Sequence, residues 1–596
     1  MFMVLSTFCM SCFTEPVLRE VRNNDYIVEL DLTNQVLALE VKEDKTYTGS
    51  GKKDTKYFNA EIYPDLRSVP EWYCNFISTA MVAQKTKNFD DGLLAAVEYL
   101  VQDGTEKRQG KQIILKQLVD ILKDMHAKKK SDAMAVMKAQ TRLYSALVLG
   151  GGKAEVMPSI RKASTDSIKM FFKDELRSKP VGFYTWSEEL KRIFKQDRFL
   201  QKSISDSREQ LVLQTALNQN KQVRLDYTAH LNLIEALNNP FPPEYCDFRQ
   251  PVAKGAPKCT SSFIPPSMAH ETELIKQLYG NRPIPKGFSL IDVLIKEIRA
   301  GNISLAPTKE SGWYDYKTFA LEPFIMPEKM AEAVKLKLGK EYKKLLVEVF
   351  KSVLALTRET HIKSLEIPLA GAAMPEEIIE IYPDLTCEPI ATYYLRTAKA
   401  YTFVRTVLEK YFSSADLMQA RRLHQYGRSK KPLLTELKEI ESLLYGLFLI
   451  TAGEIGLQVT KDMITIATEE EQKYRQTAKM WISGIQEDID LAQDNRMMVP
   501  VFYDLQRRQT KVWAFLGYAV RPVTISYEKE PDFVVTNTKR ERMKRKVKFK
   551  KQDRYIIYPV STEVYTNKIL NRKEFQELCD TYKSEESIIR AIQNLQ

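Results

Sequence analysis

The chain has 596 residues, of which 44% are hydrophobic and 28% charged, with a formal net charge of +12. At roughly 100–200 residues per domain, this length holds several domains or one large duplicated fold, and the apolar fraction excludes a disordered chain. With 22 Gly and 26 Pro it is not collagenous, and beyond the N-terminus no run of about 20 apolar residues exists to span a membrane as a helix.

The charge is concentrated. Ten basic residues between Lys539 and Arg554 face only Glu541 and Asp553, so +8 of the +12 sits in one segment. That segment suits contact with an anionic surface or a phosphate. It also suits a solvated edge strand guarded by lysines, because Lys546-Val547-Lys548-Phe549-Lys550 alternates. No nucleic-acid-binding motif accompanies it, so no specific nucleic-acid partner is expected.

Residues 1–12, Met-Phe-Met-Val-Leu-Ser-Thr-Phe-Cys-Met-Ser-Cys, are apolar, uncharged and short. Ser11-Cys12 resembles a bacterial lipoprotein processing site, with departures: no Lys or Arg precedes the run, and position 9 is Cys where Leu is usual. The resemblance implies a lipidated Cys12, a membrane partner reached through that lipid, and a place in the cell envelope, periplasmic or on the outer membrane. The other cysteines, Cys74, Cys246, Cys259, Cys387 and Cys579, form no metal-type cluster. Cys246 and Cys259 flank a loop and are positioned to bridge in an oxidising compartment.

In chain order, Tyr26–Leu32 and Val36–Val41 read as strands. Residues 72–240 read as helical, with stripes such as Leu93, Leu94, Val97 and Val101. A Pro-rich loop covers 239–266, helices return over 271–300, 327–366 and 390–480, and strands over 498–568. Val512–Phe515 is ambiguous. Asn571 and Glu574 supply a cap and its partner for a last helix. The fold class expected is α+β: mainly α, with small β regions at both ends.

Glu61-Ile62-Tyr63-Pro64-Asp65-Leu66 recurs unchanged at Glu380–Leu385. Pro70 and Pro389 follow at one offset, and Lys179–Tyr184 resembles Val499–Tyr503. These matches predict two pseudo-repeated helical halves packed around a central helical insert. The expected boundaries are 1–12 anchor segment, 13–60 small β region, 61–200 first repeat, 201–379 central region, 380–520 second repeat, and 521–596 β region with basic strand and closing helix. A cleft between such halves would suit a ligand.

Candidate chemistry is sparse. His270 and Glu273 stand one helical turn apart, and His361 would complete a His/Glu/His set, though no HExxH is present. Arg358, Glu359 and His361 end a buried stripe, which suits an acid/base pair, an anion clamp or a structural ion pair. Trp313, Tyr314, Asp315 and Tyr316 form the densest aromatic group, fit to stack on a sugar ring or to plug a gap between helices. Gly150-Gly151-Gly152-Lys153 lacks the spacing and the Ser/Thr of a phosphate loop and reads as a helix stop. No cofactor pattern is evident. The leading expectation is a cell-envelope lipoprotein that binds or scaffolds, with an anionic surface or glycan as partner. The alternative is a periplasmic hydrolase of peptide or glycan using a His/Glu or paired-carboxylate site.

Overall fold

A computed structural model describes residues 18–23, 26–42, 61–128, 133–243, 245–249, 260–267, 288–362, 383–464, 467–504, 506–537, 547–582 and 584–595, with isolated positions between 269 and 279. Cys12, Cys259, His270, Glu273 and most of the basic run lie outside them. The fold is mainly helical, with small sheets built from both ends of the chain. Among the described residues no helix is long and apolar enough to cross a membrane.

The first eight helices are α1 (Thr79–Asp103), α2 (Lys111–Lys128), α3 (Ala133–Leu149), α4 (Pro158–Phe172), α5 (Glu175–Ser178), α6 (Glu188–Leu200), α7 (Ser207–Gln219) and α8 (Lys221–Leu237). Ser187, Asp206 and Asn220 cap α6, α7 and α8 by accepting from free N–H groups of the first turn. The glycine triplet ends α3, with Gly150 N–H returning to Ala146 O and Gly152 N–H to Leu147 O. The Asn571/Glu574 pair caps its helix reciprocally, at 3.0 and 2.6 Å.

The strands are β1 (Leu18–Asn23), β2 (Tyr26–Asp31), β3 (Leu37–Val41), the short β4 (Tyr245–Cys246) and β5 (Thr260–Ser261), β6 (Leu336–Leu338), the short β7 (Leu423–His424) and β8 (Gly427–Arg428), β9 (Met497–Asp504), β10 (Gln509–Tyr527), β11 (Asp532–Asn537) and β12 (Gln552–Thr566). One sheet runs β1-β2-β11; another runs β12-β10-β3-β6, with β9 also on β10. The N- and C-terminal β regions, expected apart, are therefore interleaved. β2 and β3 do not pair with each other, because each finds its partner in the C-terminal segment. The ambiguous Val512–Phe515 lies inside β10, which is buried without interruption from Thr510 to Val520. A strand covered on both faces reads as a continuous apolar run, and this hides its period.

The hydrophobic cores cut across the expected boundaries. One core joins α1, the helices Lys340–Ile362, Ala391–Tyr411 and Leu433–Glu454, and β10 and β12. A second joins α2, α3, α7 and α8 with Phe248 and Phe263, so residues from both sides of position 200 share it. The described residues do not confirm the predicted repeat. Gly182–Thr185 is a 3-10 turn, whereas Met497–Asp504 is strand β9. Pro70 precedes α1 by nine positions and Pro389 precedes Ala391–Tyr411 by two. Asp65 accepts from Ser68 N–H and Oγ at 2.8 and 3.0 Å, while its counterpart Asp384 pairs with Arg19 at 2.8 Å. Glu380–Tyr382 lie outside the described residues. A hexamer has too few local contacts to hold its own conformation, so its neighbours decide it.

In the basic segment, Val547 and Phe549 pack on the small core of β1, β2 and β11 while Lys548 is exposed. These residues belong to no strand, and residues 539–546 of the run lie outside the described residues. Cys246 is disulfide-bonded, and its partner lies outside the described residues.

Candidate functional site

The C-terminal turns of the helix Lys340–Ile362 carry the predicted Arg358, Glu359 and His361 into the interior, where they meet the aromatic group that the sequence places 40 residues earlier. Trp313 stands edge-on to the His361 ring at 4.9 Å between centroids, and Tyr314 lies at 5.7 Å. Tyr314 Oη donates to Glu271 Oε1 at 3.0 Å, and Arg358 pairs with the same carboxylate oxygen. The two predicted groups thus form one buried seam. His270 and Glu273 lie outside the described residues, and among those described no cluster of His, Cys, Asp and Glu could hold a metal ion.

The seam is built from compensated charges. Lys87 of α1 reaches Asp91 at 2.6 Å and Glu359 at 2.5 Å, and Thr360 Oγ1 donates to Asp91 at 2.7 Å. Burial pushes the Lys87 ammonium down, but the two carboxylates outweigh it and hold its pKa above the usual value. Lys317 pairs with Asp90 at 2.6 Å, and Tyr401 Oη donates to the same aspartate. Asp315 accepts from Asn239 and Ser311, both at 2.6 Å, and Tyr316 stacks on Phe403 at 4.3 Å. Buried charges matched in this way fix geometry more than they bind anything. The aromatic group, which forms the short helix Trp313–Phe319, therefore fills the gap between its neighbours and leaves no open ring face for a sugar at Trp313 and Tyr314, both fully buried.

Thr360 and His361 of the seam touch open space. His361 Nδ1 donates to Leu237 O at 3.1 Å, and its ring lies on the wall of a cavity of about 180 Å³. The cavity opens where α1, α6, α8 and the turn Gly182–Thr185 converge. Leu94, Val97, Phe183, Phe194 and Leu233 make its apolar walls; Glu98, Tyr184, Asp197, Arg198 and His230 supply the polar groups.

The turn is seated by Gly182, whose φ is +56°, and whose missing Cβ would stand 2.0 Å from Glu359 Oε1. It delivers Phe183 and Tyr184 to the wall, stacked at 4.3 Å, and Tyr184 Oη donates to Glu98 at 2.5 Å. Lys111 of α2 stands behind the acidic wall, holding Asp197 at 2.7 Å and standing 3.8 Å from Glu98. Burial pushes the Asp197 carboxyl up to about 6, with Glu98 adding to the push against the pull of Lys111. Glu98 and Asp197 keep 22% and 21% of their side-chain surface, so solvent reaches them.

Two members are unusual. His230 is 8% exposed, and neither ring nitrogen has a hydrogen-bond partner among the described residues. Burial, with Lys111 acting the same way, pushes its pKa down to about 3 and keeps the ring neutral. Arg198 donates to Gln201 Oε1 at 2.6 Å and makes no ion pair among the described residues. Burial lowers its pKa, and Arg177 acts in the same direction.

Apart from His361, none of these cavity residues stood out in the sequence as a site. His230 continues the apolar face Val223, Tyr227, Leu231 of α8, and Glu98, Asp197 and Arg198 sit on helices where charges are routine. A usable signal was a histidine on a buried face in a chain with only five. The cavity has no wall from 380–520, so it is not a cleft between repeated halves. No family model, curated protein or solved structure matches the chain.

Proposed function

We propose that this is an envelope binding protein that holds a small polar ligand in the α1–α6–α8 cavity. One observation carries the reading: His230, nine-tenths buried on the cavity wall, has both ring nitrogens without a partner among the described residues. A buried imidazole left unmatched costs on the order of 1–3 kcal/mol, and a ligand that gives and takes one hydrogen bond there recovers it. Native mass spectrometry of the full chain isolated from its source membranes tests this. A small-molecule adduct is expected on the wild type and absent from Ser267→Trp, which fills the half-buried rim. Equal spectra for the two would end the reading.

The envelope location is part of the same proposal. The Ser11-Cys12 pattern supports a lipid anchor at Cys12, and the disulfide at Cys246 suits an oxidising compartment. Mass spectrometry of the mature N-terminus is expected to find Cys12 first and lipidated; intact Met1 in a soluble fraction would remove the anchor.

A hydrolase reading stays in view because of Asp197. A carboxyl raised to about 6 beside a second carboxylate, Glu98, with one lysine between them, has the parts for donating a proton to a leaving oxygen while the partner activates water. Release of reducing ends from a glycan, lost in both Asp197→Asn and Glu98→Gln, is the result that would favour it over binding alone.

A further inference from the structure

The charges around the cavity are unequal in a way that describes its occupant. Glu98 and Asp197 share Lys111, so one of their two negative charges is matched behind the wall. Arg198 lines the same space, is half-buried, and spends its one described hydrogen bond on the neutral amide of Gln201. A guanidinium drawn out of water with no direct ion pair among the described residues, Asp174 acting on it only from beyond contact, is costly unless an anion meets it, and its planar fork matches a carboxylate. We infer that the ligand is a small hydroxyl-bearing acid of sugar-acid type, its single carboxylate on Arg198 and its hydroxyls on Glu98, Asp197 and His230.

The other features of the cavity select the rest of that description. Carboxylates accept from hydroxyls, and a neutral imidazole with both nitrogens open gives one hydrogen bond and takes one. Phe183, Phe194, Leu94 and Leu233 offer apolar surface to the carbon-bound hydrogens of a ring, which a bare phosphate or acetate leaves uncovered. About 180 Å³ admits one such ring rather than a chain. A polyanion is disfavoured, because the carboxylates of Glu98 and Asp197 lie in the same space as Arg198 and would repel a second negative charge.

This inference rests on the cavity being the ligand site, so its test separates the two. Isothermal titration of the full chain with glucuronate, glucose and acetate is compared across wild type, Arg198→Gln and Arg198→Lys. Glucuronate is expected to bind at least tenfold more tightly than glucose or acetate, in line with one charge-assisted contact. Arg198→Gln is expected to erase that advantage, and Arg198→Lys to restore part of it. Equal affinity for glucose and glucuronate, or glucuronate binding unaltered in Arg198→Gln, overturns the anionic ligand and leaves the cavity reading in place. Binding of none of the three probes also overturns the sugar acid, while the adduct on wild-type protein and its loss in Ser267→Trp judge the cavity independently.

Discussion

His230 and Asp197 line the same cavity and titrate in opposite senses. The His230 pKa falls from 6.5 to about 3, so its contribution to stability is complete above about 6.5 and is lost as pH falls toward 3. The Asp197 pKa rises from 3.8 to about 6; its contribution is complete below about 4 and lost as pH rises through 6. Replacing His230 by Leu is expected to remove an acid penalty of about 2–3 kcal/mol at pH 4, seen as a smaller loss of urea midpoint between pH 7 and pH 4. Asp197→Asn should remove the opposite slope between pH 4 and pH 6. Gly182 is the other decisive single residue. Gly182→Ala places a Cβ against Glu359 Oε1 at a positive φ, and a cost of about 1–3 kcal/mol is expected, read as a lowered melting temperature. An unchanged melt would mean that the turn relaxes without disturbing the Lys87–Glu359 pair.

At the scale of elements, α1 begins in an unusual way. Beyond its own Ser78 cap, the first turn binds a carboxylate from far along the chain: Thr79 N and Oγ1 each donate to Glu388 Oε2 at 2.7 Å. Tyr342 Oη donates to the other oxygen at 2.7 Å. One fully buried carboxylate thus ties together α1, the helix Lys340–Ile362 and the start of Ala391–Tyr411. Its charge also suits the helix N-terminus. Glu388→Ala strands three donors and should cost roughly 3–5 kcal/mol by urea denaturation, whereas Tyr342→Phe should cost about 1 kcal/mol. Equal losses for both variants would contradict this assignment. A second element-scale device is the bulge of β10 between Phe515 and Gly517. Gly517 has φ +132°, and Tyr63 O would lie 2.3 Å from a Cβ there. The missing side chain lets the strand exchange hydrogen bonds with Tyr63 at 2.7 and 2.8 Å.

On the scale of the molecule, two large cores meet along α1, α6 and α8, and the cavity lies on that seam. Helix α6 gives Leu190 and Ile193 to one core and Phe199 and Leu200 to the other, and α8 likewise divides at Leu231 and Leu233. Cooperative units tend to follow separate cores. Native-state hydrogen exchange is therefore expected to show α2, α3 and α4 opening together at lower free energy than β10 and β12. Uniform protection across both groups would mean that the seam transmits full cooperativity. A ligand at the seam should raise the protection of α6 and α8 most.

The helical stretches, the strands flanking them, the reciprocal cap at Asn571 and the glycine stop after α3 were legible along the chain, because each depends on residues a few positions apart. The pairing of β2 and β3 with strands some 500 residues away was not legible, and neither was the burial of β10, since strand partners leave no local mark. The same division runs through the site. Arg358, Glu359, His361 and Trp313 announced themselves by residue type, but only the packed structure showed them to be a neutralised seam. Glu98, Asp197, Arg198 and His230 looked like ordinary helix residues, and three helices had to converge before they faced a common space. Periodicity reports which face of an element is covered; what covers it, and what opening is left between the covers, is decided by contacts between segments that the order of residues does not list side by side.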